Sequence, residues 1–379
     1  MTKARTNASA SPAVGRNMVI NGAMNVAQRA TSVTGLGANA DAYNTLDRFK
    51  LGVEGTTAGR LTMSQVADGP NGISANCLKL DCTTADTSIA ATEFVGVSTY
   101  LEGQNVQRLG KGIAGAKQSV ISFYVKASSS LTFAVELFDA DNARHIVKLF
   151  TATTAWNRIE FYIPADEDDG SSALDDDNAT SLSINFWIHG GSNFTGGTLA
   201  TAWANKTNNN TRAAGIDSFF SSTDNNLFLT GVQFEVGPVA TEFEQEDFGV
   251  TLAKCKRYFE RKEWGASSMD VCIQNTVSSG TYSIHFDTKR ADPTVITLPT
   301  PTRTSDQANG ISLLTSGGAY RSASGTEAIT AARTCKSNTR IQLTDFANSG
   351  AVGDATWAFY QTNTSSPVVK PHVDFDSEL

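Results

Sequence analysis

Strict alternation of apolar and polar residues recurs along this chain and constrains its fold more than any other feature of the sequence. In Ser119–Lys126, for example, Ile121, Phe123 and Val125 share one side of an extended segment. Because the side chains of a strand point alternately to its two faces, such a run predicts a half-buried antiparallel strand. The same pattern occurs, bounded by Gly, Asp, Asn or Ser, in Thr132–Phe138, Arg158–Ile163, Ser181–His189 and Leu227–Val236. Strands at this spacing predict a β-sandwich.

The composition and the rest of the chain agree with a mainly β fold. Hydrophobic residues make up 40% of the 379 residues and charged residues only 18%. Thr, Ser, Asn, Ala and Gly fill the difference, which suits strands and turns better than helices. Further strands are predicted after Trp264, at Met269–Asn275, Thr281–Asp287, Thr294–Leu298, Ile311–Thr315, Arg340–Leu343 and Trp357–Thr362. They predict a second, smaller β-sandwich domain.

One stretch between the two sets of strands has helical periodicity. Phe248, Leu252, Cys255 and Phe259 recur at helical spacing as an apolar stripe, and Asp247 is placed to cap the helix. We therefore predict a short linking helix in 247–262, which gives way to a strand at its end. The predicted division is a flexible arm in 1–15, a β-sandwich in 16–246, the helix, and a C-terminal β-sandwich in 263–379.

Charge and cysteine content exclude several kinds of protein. The net charge is −8 and the lysines and arginines are scattered, whereas a nucleic-acid binder carries a basic face, so no nucleic-acid partner is expected. No apolar run is long enough to span a bilayer and the N-terminus has no apolar signal region, so no membrane insertion is expected. The five cysteines are odd in number and include no CxxC pair. Free thiols and folding in a reducing cytoplasm are predicted.

Motifs for catalysis are absent or lack their structural context. Gly110–Gly115 matches GxGxxG, but no βαβ pattern surrounds it, so we interpret it as a polar turn. None of the four histidines, His145, His189, His285 and His372, lies in a GxSxG motif, although a triad assembled from scattered residues stays open. No pair of carboxylates stands out for glycoside hydrolysis. We predict that the chain is not an enzyme.

An acidic loop, Asp166–Asn178, is a weak candidate for an ion site. Carboxylates are the oxygen ligands that Ca²⁺ prefers, but their spacing here is not that of an EF-hand. A solvated loop is the first interpretation, an incidental Ca²⁺ or Na⁺ site is the second, and no other cofactor is predicted. The candidate ligands are Asp166, Asp168, Asp169, Asp175, Asp176 and Asp177.

A glycan site is suggested by aromatic residues outside the predicted core. Trp187 alternates with the core residues of its strand, and Asn185 and His189 share its face. Trp203 lies in a loop rich in Asn and Gly. Aromatic rings stack on the C–H faces of sugars, while amide and imidazole groups bind hydroxyls, so these four residues are the predicted carbohydrate-binding candidates. The alternative is that Trp187 packs beneath that loop or in a subunit interface.

Several stretches, taken in this order, resemble one family. They are NMVINGAMNVAQRATS (Asn17–Ser32), TLDRF (Thr45–Phe49), TGVQFEVGPVATEFE (Thr230–Glu244), CKRYFERK (Cys255–Lys262), KRADPTV (Lys289–Val295) and DFDSEL (Asp374–Leu379). Together they resemble bacteriophage tail-fibre and virion-appendage proteins.

The resemblance implies a jelly-roll of the carbohydrate-binding-module type in 16–246, followed by a C-terminal β domain. It implies a homotrimeric virion component that is assembled in the host cytoplasm and binds other tail or capsid proteins. This component would recognise a host-surface glycan without catalysis. Asp47, Arg48, Gln233 and Arg257 would be structural residues. Only the short arm in 1–15 precedes the jelly-roll, so virion attachment would use either this arm or the surface of the domain. The alternatives are a purely structural head-fibre or tail-adaptor protein and, from another class, a polysaccharide depolymerase or its accessory module.

Overall fold

The computed structural model describes two compact units within one chain. The described residues are 15–37, 40–55, 58–206, 209–263, 269–276, 279–298, 310–315, 320–321, 329–335, 337–343, 355–361 and 372–379. The first unit ends at Leu252 and includes Leu379, and the second comprises the described residues from Ala253 to Glu378. Of the arm predicted in 1–15, all but Gly15 lies outside the described residues.

Twelve strands form the first unit in the part of the chain that is described. They are β1 (Ser32–Leu36), β2 (Lys50–Glu54), β3 (Arg60–Val66), β4 (Cys77–Thr84), β5 (Phe94–Glu102), β6 (Ser119–Ala127), β7 (Leu131–Asp139), β8 (Arg144–Ala152), β9 (Asn157–Ile163), β10 (Thr180–Gly190), β11 (Ala204–Asn205) and β12 (Asn226–Val236). Short helical turns occur at α1 (Gly103–Val106), α2 (Ser192–Thr195), Gln107–Leu109 and Phe219–Ser221.

These strands form two six-stranded antiparallel sheets. The first sheet has the order β1-β3-β4-β12-β6-β9 and the second has the order β11-β8-β7-β10-β5-β2. Chain neighbours such as β8 and β9 lie in opposite sheets, while β4 pairs with the distant β12 and β5 pairs with β10. This arrangement is the predicted jelly-roll β-sandwich.

The core lies between the inner faces of the two sheets. The residues predicted to share the inner faces of β6, β7 and β10, among them Ile121, Phe123 and Val125, are buried. The Phe123 ring meets the rings of Phe150 and Phe186 edge-on, each at 5.0 Å between centroids. Period-two alternation therefore identified the inner faces of β6, β7 and β10 correctly, because one side of each strand packs on the opposite sheet. The exception is Phe228 of β12, which was predicted to face inward but pairs with Lys79 and Lys126 on the outer face, because the register shifts between Thr230 and Gln233.

The second unit is also built from antiparallel strands. They are β13 (Phe259–Glu263), β14 (Met269–Thr276), β15 (Ser279–His285), β16 (Thr294–Leu298), β17 (Gly310–Thr315), β18 (Tyr320–Arg321), β19 (Ile329–Cys335), β20 (Asn338–Leu343), β21 (Ala355–Gln361) and β22 (His372–Asp376). Their orders are β13-β22-β16 and β18-β17-β21-β14-β15-β20-β19. All six strands predicted here are confirmed in position.

The helix α3 (Phe248–Lys256) is shorter than the predicted segment. The Asp247 side chain accepts a hydrogen bond from the Gly249 N–H at 2.8 Å, as expected of a cap. The helix ends at Lys256, so Phe259 belongs to β13, and Phe248, Leu252 and Cys255 are the residues of the apolar stripe that lie inside it. Phe248 is 55% exposed, so its predicted burial is wrong. Among the described residues, no helix is long and apolar enough to cross a membrane.

Three of the residues that the resemblance marked as structural are buried and hydrogen bonded. Asp47 accepts hydrogen bonds from the backbone and side chain of Gln28. Arg48 donates to the Tyr100 carbonyl at 2.6 Å, and the Gln233 side chain accepts from the Glu244 N–H at 2.8 Å. For the fourth, Arg257, the backbone carbonyl accepts from the Arg290 N–H at 2.9 Å. Cys77, Cys82 and Cys255 are buried free thiols, as predicted.

The GxGxxG match is a turn before β6, as predicted. Gly112 has a φ of +79°, and a Cβ there would lie 2.1 Å from the carbonyl oxygen of Ser172. Gly115 has a φ of +84°, but a Cβ there would have nothing within 4 Å. Gly112 is therefore required for close backbone approach as well as for its left-handed conformation.

We predict that Gly112→Ala destabilises the protein more than Gly115→Ala. Both variants carry the left-handed strain of about 1–2 kcal/mol, but only Gly112→Ala also collides with the backbone at Ser172. The excess loss in unfolding free energy should be about 2 kcal/mol or more, measured by urea denaturation. Equal losses in the two variants would contradict this account of the turn.

Candidate functional site

Two facing glycines open a groove on the outer face of the second sheet. Gly52 of β2 pairs with Gly96 of β5, so this pair adds no side chain of its own to the sheet, and the Phe94 ring borders Gly52. A pocket of about 190 Å³ lies over this position. Its lining consists of Asp41, Lys50, Gly52, Phe94, Gly96, Ser98, Tyr100, Asn185, Phe186, Trp187 and Arg212. We refer to this pocket as the groove.

A row of polar residues crosses the strands beside the glycine pair. Lys50 pairs with Ser98, Ser98 with Asn185, and Asn185 with Glu136. Adjacent strands are about 4.8 Å apart, so a row across four strands is about 14 Å long. The groove therefore presents donors and acceptors in a line perpendicular to the strands.

Glu136 lies at the inner end of this row and is fully buried. The Arg212 guanidinium donates to it through Nε at 2.9 Å and through Nη2 at 2.8 Å. Trp187 donates through its indole N–H at 2.9 Å and Asn185 through its amide at 3.1 Å. His145 Nδ1 lies 2.8 Å from the other carboxylate oxygen. One carboxylate thus fixes two of the side chains that were predicted to bind glycan.

The ionisation of Glu136 depends on these partners. Burial by itself raises the pKa of Glu136, because the charged form loses water. The charge of Arg212 and the hydrogen bonds from His145, Arg212 and Trp187 outweigh burial and lower the pKa from 4.5 to about 2. Glu136 is therefore an anion throughout the neutral range.

Trp187 faces away from the main core, as predicted, but it is not an exposed platform. Its side chain is 5% exposed and packs in a second apolar cluster with Ala134, Val147, Phe194 and Ala213. The segment between β10 and the Phe219–Ser221 turn supplies the cover. The alternative interpretation, packing beneath the loop, is therefore correct for most of the ring. Its remaining rim lines the groove.

His189 is not on the face predicted for it. The register of β10 against β5 shifts between Trp187 and His189, so His189 pairs with the core residue Val95. Such a bulge inserts one residue and reverses the alternation beyond it. His189 is consequently buried, with Nδ1 2.8 Å from the Ser218 hydroxyl. Burial lowers its pKa, although the Glu93 carboxylate opposes the shift.

Trp203 also lies outside the groove lining. Its indole N–H donates to the Pro164 carbonyl at 3.0 Å, and the Lys111 ammonium lies 4.9 Å from its ring centroid. The ring packs against the main core, where it supports the Lys111 side chain. Of the four predicted residues, the structure brings together only Trp187 and Asn185.

The acidic loop does not assemble an ion site within the part of the chain that is described. Asp166 binds Arg144 at 2.7 and 2.9 Å and Lys111 at 3.0 Å. Burial raises the pKa of Asp166, but Arg144 and Lys111 outweigh it and lower the pKa. Asp168, Asp169 and Asp177 accept hydrogen bonds within the loop itself. No three His, Cys, Asp or Glu side chains among the described residues converge on one position.

The comparisons with known proteins give structural neighbours only. No family model and no curated protein matches the chain. The chain is similar to the enzymatically active domain of tailspike protein 4 of bacteriophage CBA120, with a TM-score of 0.31 and 11% identity over 59% of this chain. It spans 22% of that tailspike domain's length.

Two further neighbours are carbohydrate-binding modules. One is the family 11 module from Clostridium thermocellum in complex with a β-1,3-1,4-mixed-linked tetrasaccharide, at TM-score 0.26, 16% identity, and coverage of 56% of this chain and 99% of the module. The other is a family 61 module in complex with β-1,4-galactotriose, at TM-score 0.27, 8% identity, and coverage of 59% and 99%.

We predict that Glu136→Gln lowers stability in a pH-dependent way. The folded-state pKa lies below 4.5, so the stabilisation is complete above about pH 4.5 and is lost as the pH falls toward 2. Near pH 7 the variant should lose on the order of 3 kcal/mol of unfolding free energy, because the partly buried Arg212 is left without its counter-ion.

The matched control is Glu54→Gln, which removes an exposed carboxylate from β2. It should leave stability almost unchanged at every pH. Denaturant titrations from pH 7 to pH 3 measure both variants. A gap between wild type and Glu136→Gln that does not narrow below pH 4.5 would show that the carboxylate charge is not the stabilising feature.

Proposed function

We propose that this chain binds a glycan of the host cell surface in the groove, without catalysis, as a tail-fibre or receptor-binding component of a phage virion. The observation that carries the glycan part is the paired Gly52 and Gly96 floor, flanked by the rings of Tyr100 and Phe94. Concave sites with an apolar surface and a few fixed polar groups are typical of small-ligand binding.

The chemistry of the lining supports a sugar. A sugar ring offers apolar C–H faces, which pack on aromatic rings, and hydroxyl groups, which both donate and accept. Asn185 uses its amide N–H groups on Glu136 and Ser183, which leaves its Oδ1 as an acceptor. Ser98 and Lys50 add donors and Asp41 adds an acceptor along the same row.

The charge arrangement supports binding without hydrolysis. Among the described residues, Asp41 is the only carboxylate that lines the groove, and it pairs with Lys50 at 3.0 Å. Hydrolysis of glycosides needs two carboxyl groups on opposite sides of the scissile bond. Glu136, the nearest buried carboxylate of the row, is occupied by its own donors. A depolymerase would release oligosaccharides from host polymer, and we propose that none is released.

The virion assignment is supported by the stretches that resemble tail-fibre and appendage proteins. We propose a homotrimer that binds other tail or capsid proteins. Immunogold labelling of particles tests the position: a distal tail site supports receptor binding, whereas a capsid or collar site supports the structural alternative. A monomer by light scattering, both for the free protein and for protein released from particles, would exclude the trimer.

We predict that Tyr100→Ala and Gly52→Val each weaken glycan binding at least about tenfold. Tyr100→Ala removes an aromatic wall, and Gly52→Val fills the floor, where an added Cβ lies 3.1 Å from the Phe94 ring. Purified host polysaccharide and a glycan microarray provide the probes, and circular dichroism checks that each variant folds.

Tyr162→Ala is the matched control, because Tyr162 is a 50% exposed tyrosine on β9 of the other sheet. It should bind glycan as the wild type does. The proposal fails if the wild type binds no host polysaccharide and no array glycan, or if the loss in Tyr162→Ala equals that in Tyr100→Ala.

A further inference from the structure

Two cations share one aromatic ring at the Arg212 end of the groove. The Arg212 guanidinium lies 5.1 Å from the Phe138 ring centroid, and the Lys206 ammonium lies 5.2 Å from it. Phe138 stands two residues beyond Glu136 on the same face of β7. Arg212 also lines the groove, so the pair of positive charges adjoins the groove through Arg212.

The local charges do not balance. Among the residues that the structure describes, Glu136 is the one carboxylate bound to Arg212 or Lys206, and it occupies Nε and Nη2 of Arg212. Within the described parts of the chain, neither Nη1 of Arg212 nor the Lys206 ammonium has a hydrogen-bond or ion-pair partner. Two cations against one anion leave a surplus of one positive charge.

The environment of Lys206 shows the same imbalance. Burial lowers its pKa, the charge of Arg212 lowers it further, and Glu136 acts in the opposite direction. Like charges held together at a partly buried position are costly without a counter-ion. A bound anion would relieve this repulsion and use the remaining donors.

We infer that the Arg212 end of the groove is an anion subsite, formed by Arg212 Nη1 and Lys206 Nζ, which binds an oxyanion substituent. Resting on the proposed function, this assigns an acidic glycan, whose sugar ring occupies the groove and whose carboxylate, phosphate or sulfate reaches Arg212. Arginine suits this role because its planar donors match an oxyanion.

The subsite is tested first with an inorganic anion, independently of any glycan. Thermal unfolding of the full chain is compared in sodium sulfate and in sodium chloride at equal ionic strength. Sulfate stabilises proteins generally, so the informative quantity is the difference between variants. Lys206→Gln should lose at least half of the extra Tm rise that sulfate gives the wild type.

Lys79→Gln is the control, because Lys79 is also a half-buried lysine near an aromatic ring, 5.9 Å from the Phe228 centroid. It lies on the first sheet, and it should keep the full sulfate effect. If Lys206→Gln responds to sulfate as Lys79→Gln does, the anion subsite is refuted.

Matched glycans then identify the source of the anion. Oligosaccharides containing uronic acid are compared with their carboxyl-reduced counterparts, and sulfated and phosphorylated sugars with their unmodified forms. The acidic member of one class should bind at least about tenfold more tightly, and Lys206→Gln should abolish that preference.

Equal binding of acidic and neutral partners, lost in Tyr100→Ala, would refute the acidic-ligand inference while glycan binding stands. A sulfate effect that depends on Lys206, with no glycan bound, would support the anion subsite and refute the glycan function. The two proposals therefore fail on different results.

Discussion

The buried carboxylate of Glu136 stands on the outer face of a sheet, where an uncompensated charge would be strongly destabilising. Arg212, Trp187, Asn185 and His145 satisfy it from neighbouring strands and from the segment that follows β10. These bonds hold that segment over one half of the sheet face, where it packs on Trp187. The half over β2 and β5 stays open, and the open half is the groove.

The division of this sheet face into a covered half and an open half also determines which residues surround the groove. Apolar residues of the covering segment, such as Phe194, need burial, and they obtain it on the ring of Trp187. Gly52 and Gly96 leave a gap between the side chains of the uncovered half, and this gap is the floor of the groove. Arg212 connects the two halves, because it binds Glu136, stacks over Trp187 at 4.6 Å and reaches the groove. The Arg212 side chain therefore both stabilises the Glu136 carboxylate and lines the groove.

Local periodicity was enough to predict the inner faces of β6, β7 and β10, because each depends only on alternation within its own strand. In β12 it placed Phe228 on the inner face wrongly, because the register against β6 shifts between Thr230 and Gln233. It failed at His189, because a single bulge reverses the alternation and no local residue marks it. Glu136 and Arg212 are 76 residues apart, and their contact depends on tertiary pairing. Gly52 and Gly96 carried a usable signal, since glycine inside a strand marks a close approach or an open site.

Hydroxyl-radical footprinting with purified host surface polysaccharide tests the groove assignment most directly, because it reports on side chains rather than on strand backbones. Tyr100 lies in the groove and Tyr162 lies on the other sheet, so the two tyrosines form an internal pair. We expect the polysaccharide to reduce oxidation of Tyr100 and to leave Tyr162 unchanged. Protection of Tyr162 without protection of Tyr100 would contradict the account.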